Sequence, residues 1–286
     1  MGVIHQATHA LFHRGGRAPR AAAAESLRTN LLRFAAFELA VWASLYAAYL
    51  AVRGATIGSP EDALRNGREI VAAENALRIF HEARIQEALS ALEWFFSAYY
   101  MVGFAPLIAS TLVWLALRHV HRYRELRTAL LVSISIATVV FVLFPAAPPR
   151  LIPDLGIADT VGLSSHDTGS FAGVRFTPYA AMPSMHVGWS LLVGLAGYRA
   201  ARRRATRTLF AAHPAVMVVA VMATGNHFVL DAVAGAAIAG AMVAVMRLAA
   251  VRRAAVSAQT PHRNWLACPA EPGPPETDVA SALGHR

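Results

Sequence analysis

The sequence predicts an all-α membrane protein, a bundle of six transmembrane helices with one amphipathic helical segment on the extracytoplasmic side. Of its 286 residues, 56% are hydrophobic and 15% are charged, whereas a soluble domain carries about 25% charged residues. Six apolar runs close to the ~20 residues that cross a bilayer alternate with polar connections. These runs are Phe34–Val52, Phe95–Leu117, Thr128–Pro145, Met182–Tyr198, Thr208–Gly225 and His227–Met246.

The arginines predict the orientation of the bundle. All 26 basic residues are arginine, and they give a formal net charge of +9. They cluster before the first run, between the second and third, between the fourth and fifth, and after the sixth. Because cytoplasmic loops are rich in Arg and Lys, both termini are predicted to be cytoplasmic and the connections 53–94 and 146–181 extracytoplasmic. Arginines in short clusters between long apolar runs are typical of such loops and argue against nucleic acid as a partner.

The chain is predicted to form one membrane domain in the cell membrane. This domain, residues 31–253, lies between a polar cytoplasmic tail, 1–30, and a proline-rich cytoplasmic tail, 254–286, which is predicted to be disordered. The single cysteine, Cys268, excludes an internal disulfide and a cysteine-based metal cluster.

The connection 53–94 is too long for a simple turn and carries a helix start, with Ser59 as the N-cap and Pro60 in the first turn. Two placements fit such a helix: along the outer membrane interface, or packed on the outer end of the bundle. Apolar residues follow at near-helical spacing, namely Ile70, Ala73, Leu77, Phe80, Ile85, Leu89 and Leu92.

Three polar stretches fall at the same predicted membrane face: Ala147–Arg150, Met182–Gly188 and Thr224–Asp231. Ionisable residues at membrane depth are costly and are functional candidates by default. In the third stretch, His227 and Asp231 are four residues apart and therefore share one face of a helix. A carboxylate on one imidazole nitrogen fixes the tautomer and leaves the other nitrogen free to attack.

The other two stretches supply further groups suited to an anionic substrate. His186 follows the capping candidate Ser184 in the first turn of its helix, where free N–H groups favour phosphate. Arg150 offers a bidentate donor fork for phosphate oxygens. Structural alternatives remain open: the histidine and aspartate as a polar pair between helices, Arg150 as a snorkelling side chain, or a zinc or manganese site at His186, His227 and Asp231.

These motifs resemble those of the lipid phosphate phosphatase (type 2 phosphatidic acid phosphatase) superfamily over residues 34–248. The pattern Pro-Ser-x-His is read as Pro183 to His186, and His-x-x-x-Asp as His227 to Asp231. The resemblance implies that His227 is the nucleophile, that Asp231 activates it, and that His186 protonates the leaving group. It implies an enzyme with a phosphohistidine intermediate and no metal or organic cofactor.

Within the superfamily, the sequence is most similar to the branch that contains inositol phosphorylceramide synthases. The classical phosphatases carry a lysine and an arginine where this chain has Leu143 and Val221. The sequence therefore predicts transfer of a phospho-headgroup from a lipid phosphoester to a lipid alcohol. The alternatives are a simple lipid phosphate or prenyl diphosphate phosphatase, and a non-enzymatic lipid-binding or transport protein. The predicted phosphate-binding residues are Arg150, Ser184, Asn226 and Arg175.

Overall fold

A computed structural model of the protein describes residues 17–55, 59–161, 170–171, 174–175 and 179–259. This part of the chain is helical apart from its loops and one short antiparallel hairpin, which confirms the predicted all-α architecture. Its helices are α1 (Arg17–Ala55), α2 (Pro60–Ala76), α3 (Glu82–Ala88), α4 (Glu93–Ala98), α5 (Phe104–Arg118), α6 (Val120–Leu143), α7 (Met185–Ala200), α8 (Arg204–Ala223) and α9 (Val229–Gln259). The smaller elements are the 3₁₀ turns Ser90–Leu92 and Pro149–Leu151, the π-helical turn Tyr99–Gly103, and strands β1 (Ser170–Phe171) and β2 (Val174–Arg175).

Four of the predicted spans coincide with helical stretches that are long and apolar enough to cross a membrane. The first predicted span, Phe34–Val52, lies within the 39-residue helix α1. The fourth lies largely in α7, whose 16 residues reach about 24 Å. The count of six spans stays a prediction. Among the described residues, four stretches have the length and apolar composition of a membrane span: Ser90–Arg118, Val120–Leu143, Arg204–Ala223 and Val229–Arg252.

The chain divides into two compact units, Met1–Val245 and Met246–Arg286. The first unit contains all three polar stretches. Within the described residues, the second unit is the continuation of α9 to Gln259, which goes beyond the predicted domain boundary at residue 253. Helix α1 likewise begins at Arg17, inside the predicted polar tail.

Helix α1 is joined to α6 by a buried ion pair. The Nη1 atom of Arg127 lies 2.7 Å from Oε1 of Glu38, and the two side chains are 22% and 11% exposed. The rings of Phe34 and Tyr123 meet edge to face beside this pair, with their centroids 5.7 Å apart. A charged pair between apolar helices is a defined point of attachment, because each charge needs its partner in such surroundings.

Helix α2 begins as predicted: the Ser59 side chain accepts a hydrogen bond from the backbone N of Asp62 at 3.0 Å, and Pro60 occupies the first turn. It packs on the connection that follows α6. The backbone N of Ala147 donates to the Ala63 carbonyl at 2.9 Å, and the Asn66 amide donates to the Pro145 carbonyl at 2.8 Å. The sequence left two placements open for this helix, and these contacts are those of a helix packed on the bundle.

The predicted apolar face of this segment is partly wrong. Leu77 is 60% exposed, whereas Glu74 is completely buried. The buried stripe of α2 consists of Ala63, Asn66, Gly67, Ile70 and Glu74, which recur at helical spacing. Glycine is required at position 67, because a Cβ there would lie 2.8 Å from the Ala147 carbonyl oxygen. The buried stripe includes Asn66 and Glu74 because both bind backbone groups of other segments. A pattern of apolar residues therefore does not predict this stripe.

Candidate active site

The two histidine motifs are brought together by a close crossing of α7 and α9. The backbone N of Ser184 donates to the Asp231 carbonyl at 2.9 Å. A Cβ on Gly235 would lie 2.1 Å from the Ser184 carbonyl oxygen, and one on Gly188 would lie 2.8 Å from the Gly235 carbonyl oxygen. Glycine at both positions therefore permits the crossing, which places the rings of His186 and His227 with centroids 5.7 Å apart.

His227 is 4% exposed, and one of its ring nitrogens is already engaged. Its Nδ1 lies 2.7 Å from the Ala181 carbonyl oxygen and 3.4 Å from Oδ2 of Asp231. A carbonyl accepts hydrogen bonds, so the short contact assigns the proton to Nδ1 and leaves the lone pair on Nε2. In a neutral imidazole of this tautomer, Nε2 can attack an electrophile.

Asp231 is fully buried and also shapes the turn that carries His227. Its Oδ2 accepts a hydrogen bond from the backbone N of Phe228 at 2.9 Å. Its Oδ1 is buried and has no hydrogen-bond partner in the described part of the chain. Asp231 therefore holds the first turn of α9 and places negative charge near the imidazole, where it stabilises a positive charge that develops on the ring.

His186 lies in the first turn of α7 and is half-buried against aromatic rings of the helical stretch Ser90–Arg118. Its ring centroid lies 4.3 Å from that of Tyr100 and 4.7 Å from that of Phe104. Tyr100 belongs to the π-helical turn Tyr99–Gly103, a local irregularity that is frequent at functional sites. Neither aromatic residue is marked in the sequence, because both stand inside an apolar run without a polar motif.

Arg150 lies against the turn that precedes His227. Its backbone N donates to the Gly225 carbonyl at 3.0 Å, and Gly225 has a φ of +63°, which favours glycine. The Arg150 side chain is 5% exposed, with Nε 3.4 Å from Oδ1 of Asp159. Burial lowers the pKa of Arg150, and the charge of Asp159 opposes this effect. Asp159 belongs to none of the three polar stretches, so no motif in the sequence marked it.

Two residues predicted to bind phosphate have their side chains engaged within the protein. The Ser184 hydroxyl accepts from the backbone N of Val187 at 3.5 Å, as a helix cap. The Asn226 amide donates to Thr224, at 2.9 Å to Oγ1 and 3.3 Å to the carbonyl oxygen. Arg175 lies in β2, and its side chain is outside the part of the chain that the structure describes. Phosphate binding by these three residues stays a prediction.

The alternative of a metal site gains no geometric support. Across the described ranges, no group of three or more His, Cys, Asp or Glu side chains could hold a metal ion. His186, His227 and Asp231 lie near one another but do not form such a group.

A family model described as the PAP2 superfamily matches residues 68–245, which is more than half of the chain and includes all three polar stretches. The chain belongs to the PAP2 superfamily. Searches of curated proteins and of solved structures gave no match. Membership of the PAP2 superfamily supports a phosphatase or phosphotransferase of lipid phosphoesters in general, and the apolar helices indicate a membrane protein. Similarity to the inositol phosphorylceramide synthase branch stays a prediction.

Proposed function

We propose that the protein transfers a phospho-headgroup from a membrane lipid phosphoester to a lipid alcohol through a phosphohistidine at His227. The observation that carries the proposal is the arrangement of the two imidazoles. Nδ1 of His227 is held by the Ala181 carbonyl, so Nε2 is the nucleophilic atom, and the ring of His186 lies 5.7 Å away between centroids. A nucleophile beside a group that can carry a proton is the arrangement that covalent phosphoryl transfer needs.

The reaction has two steps. In the first, Nε2 of His227 attacks phosphorus, the bond from phosphorus to the leaving oxygen breaks, and protonated His186 gives its proton to that oxygen. In the second, the acceptor hydroxyl attacks the phosphohistidine, the P–N bond breaks, and His186 takes the hydroxyl proton. Asp231, 3.4 Å from Nδ1, stabilises the positive ring of the intermediate. No other group is needed for the atoms and charges to balance.

Phosphate would be held by cations and by backbone N–H groups. Arg150 is a buried cation beside the His227 turn. The first N–H groups of α7, the helix that carries His186, favour an anion, and Arg175 is a further candidate. Leucine at position 143 and valine at position 221 leave the site with fewer fixed cations than the classical phosphatases have. This favours a phosphodiester, which carries less charge than a phosphomonoester, and hence headgroup transfer.

The proposed topology has six spans with both termini in the cytoplasm. It rests on the arginine clusters, which occur in every second connection. The site then lies at the extracytoplasmic face of the cell membrane, where a lipid donor and a lipid alcohol both enter from the bilayer.

Product identity tests the proposal. Purified protein in lipid nanodiscs is given a phospholipid donor with ceramide, diacylglycerol or polyprenol, and the products are identified by mass spectrometry. A new phosphodiester lipid that forms faster than free phosphate or free headgroup phosphate is the expected result. Steady release of inorganic phosphate from a phosphomonoester lipid, unaffected by any acceptor, would instead establish a lipid phosphatase. Binding of the lipids without turnover would establish the non-enzymatic alternative.

A further inference from the structure

Two buried glutamates outside the three motif stretches contact the start of α9. The backbone N of Leu230 donates to Oε1 of Glu74 at 2.7 Å, and the backbone N of Val229 donates to Oε1 of Glu82 at 3.0 Å. Both glutamates are completely buried. With Asp231 accepting from Phe228, a carboxyl oxygen binds each of the three N–H groups that follow His227.

These contacts decide whether the N-terminus of α9 can bind an anion. The first N–H groups of a helix have no partner within the helix and are a ready site for an anion. At α9 they are occupied by the protein's own carboxyl groups and are not available to substrate phosphate. Glu74 and Glu82 come from α2 and α3, about 150 residues earlier in the chain, so they fix the His227 turn to a separate segment.

The two glutamates differ in the hydrogen bonds that their oxygens make. Both oxygens of Glu82 accept N–H groups, Oε1 from Val229 and Oε2 from His81 at 2.9 Å, which is the bonding of a carboxylate. Glu74 accepts through Oε1, while its Oε2 is buried with no donor among the described residues. This is the oxygen expected to carry a proton, because two buried carboxylates side by side repel each other.

The same segment holds the other side of the site. The Gln86 amide donates to the Ala158 carbonyl at 2.9 Å and to the Ala223 carbonyl at 3.1 Å. Its carbonyl oxygen accepts from the backbone N of Ala158 at 2.7 Å. Ala158 precedes Asp159, the partner of Arg150. Segment 60–88 therefore contacts both the turn of the nucleophile and the loop of the cation.

We propose that Glu74 and Glu82 are positioning residues, a protonated and an ionised glutamate that together hold the His227 turn in the geometry of attack. This inference rests on the proposed function for its catalytic consequence, whereas the attachment itself can be measured without turnover. Displacement of a reacting group by about 1 Å can reduce the rate roughly 100-fold. Loss of either glutamate should therefore lower kcat while substrate binding is retained.

The first experiment compares kcat and KM of purified Glu74→Ala and Glu82→Ala with those of wild type. The control variants are Glu69→Ala and Glu87→Ala, which remove exposed glutamates from the same two helices. We expect kcat to fall about 10- to 100-fold in the first pair, with KM unchanged and both controls at wild-type level. A wild-type kcat in both Glu74→Ala and Glu82→Ala would overturn the inference.

Conservative variants separate positioning from a general loss of structure. Glutamine at position 74 keeps an acceptor for Leu230 and places an N–H₂ where the proton lies, so Glu74→Gln should retain kcat at neutral pH. Glutamine at position 82 replaces one of two accepting oxygens with a donor, so Glu82→Gln should lose activity. Equal effects of the two glutamine substitutions would contradict the assigned protonation states. The glutamine variants keep the size of the side chain and therefore test the inference even if the alanine variants fail to fold.

The pH profile adds a readout that a structural role would not change. The titratable groups that act on Glu74 are Glu82 on α3 and Asp231 on α9; burial first, and then Glu82, raise the pKa of Glu74 to about 8. Ionisation of Glu74 would set it against Glu82, so kcat should fall above about pH 8. This alkaline decrease should be absent in Glu74→Gln. An alkaline decrease identical to that of wild type would count against the inference.

Amide hydrogen exchange tests the attachment itself. Mass spectrometry of the peptide that covers residues 227–231 should show faster exchange in Glu74→Ala than in wild type or Glu69→Ala. If wild type turns over no lipid phosphoester, the proposed function fails while this measurement still decides whether the attachment exists. If exchange is unchanged by Glu74→Ala, the inference fails whatever the activity.

Discussion

The Nδ1 atom of His227 lies 2.7 Å from the carbonyl oxygen of Ala181, closer than it lies to the carboxylate of Asp231, at 3.4 Å. The backbone that precedes α7 therefore fixes the tautomer of the residue that begins the next motif. A hydrogen bond from the imidazole to a carbonyl needs no charge, so the lone pair on Nε2 is maintained independently of Asp231.

The decrease in kcat caused by Asp231→Asn should consequently be smaller than in an enzyme whose histidine is oriented by a carboxylate alone. Where the carboxylate is the sole orienter, kcat can fall about 10⁴-fold. With the Ala181 carbonyl in place, we expect a decrease of about 10²- to 10³-fold with the fold retained. Steady-state kinetics checks this, with circular dichroism to confirm folding. A decrease of 10⁴-fold or more in a folded variant would assign the orienting role to the carboxylate.

The two histidines should separate in their response to the leaving group. His227→Ala removes the atom that forms the P–N bond, so turnover and acid-labile phosphoenzyme should both disappear. His186→Ala should still form the phosphoenzyme from an activated aryl phosphate, whose leaving group departs without protonation, and the phosphoenzyme should accumulate because the second step lacks its base. Quenched-flow trapping of radiolabelled protein measures the intermediate. Normal turnover of the aryl phosphate by His227→Ala would show that the nucleophile is a different residue.

The crossing of α7 and α9 should tolerate no side chain at Gly235. Alanine there would place Cβ 2.1 Å from the Ser184 carbonyl oxygen, so the helices must separate and the two imidazoles with them. We expect kcat to fall at least about 10-fold and thermal stability to decrease. Gly240→Ala is the matched control, because a Cβ there meets no atom within 4 Å. Similar kinetics and melting temperatures in both variants would contradict the crossing.

Stability should depend on the protonation of Glu74. Its pKa is raised by burial from 4.5 to about 8, so the folded state holds this proton more tightly than the unfolded state. The stabilisation is complete below about pH 4.5, declines as the pH rises, and is lost above about pH 8. Thermal unfolding in detergent should show this decline in wild type, and it should be smaller in Glu74→Gln. Parallel pH dependences would exclude Glu74 as its source.

The predicted topology can be tested on intact cells. In a Cys268→Ala background, Ala158→Cys should react with a membrane-impermeant reagent, because the residue is exposed on a connection predicted to be extracytoplasmic. Arg202, which is exposed between α7 and α8, lies on a connection predicted to be cytoplasmic, so Arg202→Cys should react only after permeabilisation. The opposite pattern would place the site on the cytoplasmic side.

The sequence predicted the helical architecture because apolar runs and arginine clusters are local signals. It also made His186, His227 and Arg150 candidates, because polar residues interrupt apolar runs at these points. The structure brings the corresponding stretches together. The hydrogen-bond partners of individual side chains were harder to predict. The Ser184 hydroxyl bonds the backbone of its own helix, and the Asn226 amide bonds Thr224.

Contacts between distant segments could not be predicted from spacing. Glu74 falls between the apolar positions predicted for its helix, yet it is buried because α9 presents unpaired N–H groups to it. Tyr100 and Phe104 resemble ordinary lipid-facing aromatics in the sequence, and their role became visible through the ring of His186. In each case the partner lies more than 80 residues away, and no periodicity within one helix records it.

The attachment of α2 and α3 to α9 also bears on the order in which the protein is made. A ribosome synthesises Glu74 and Glu82 about 150 residues before Val229 and Leu230. Until the start of α9 has been made, the two glutamates lack Val229 and Leu230 as donors, whereas the contacts of α2 with Pro145 and Ala147 can already form. The His227 turn and the carboxyl oxygens that bind it are therefore completed in one step, when the third polar stretch folds onto a segment made about 150 residues earlier.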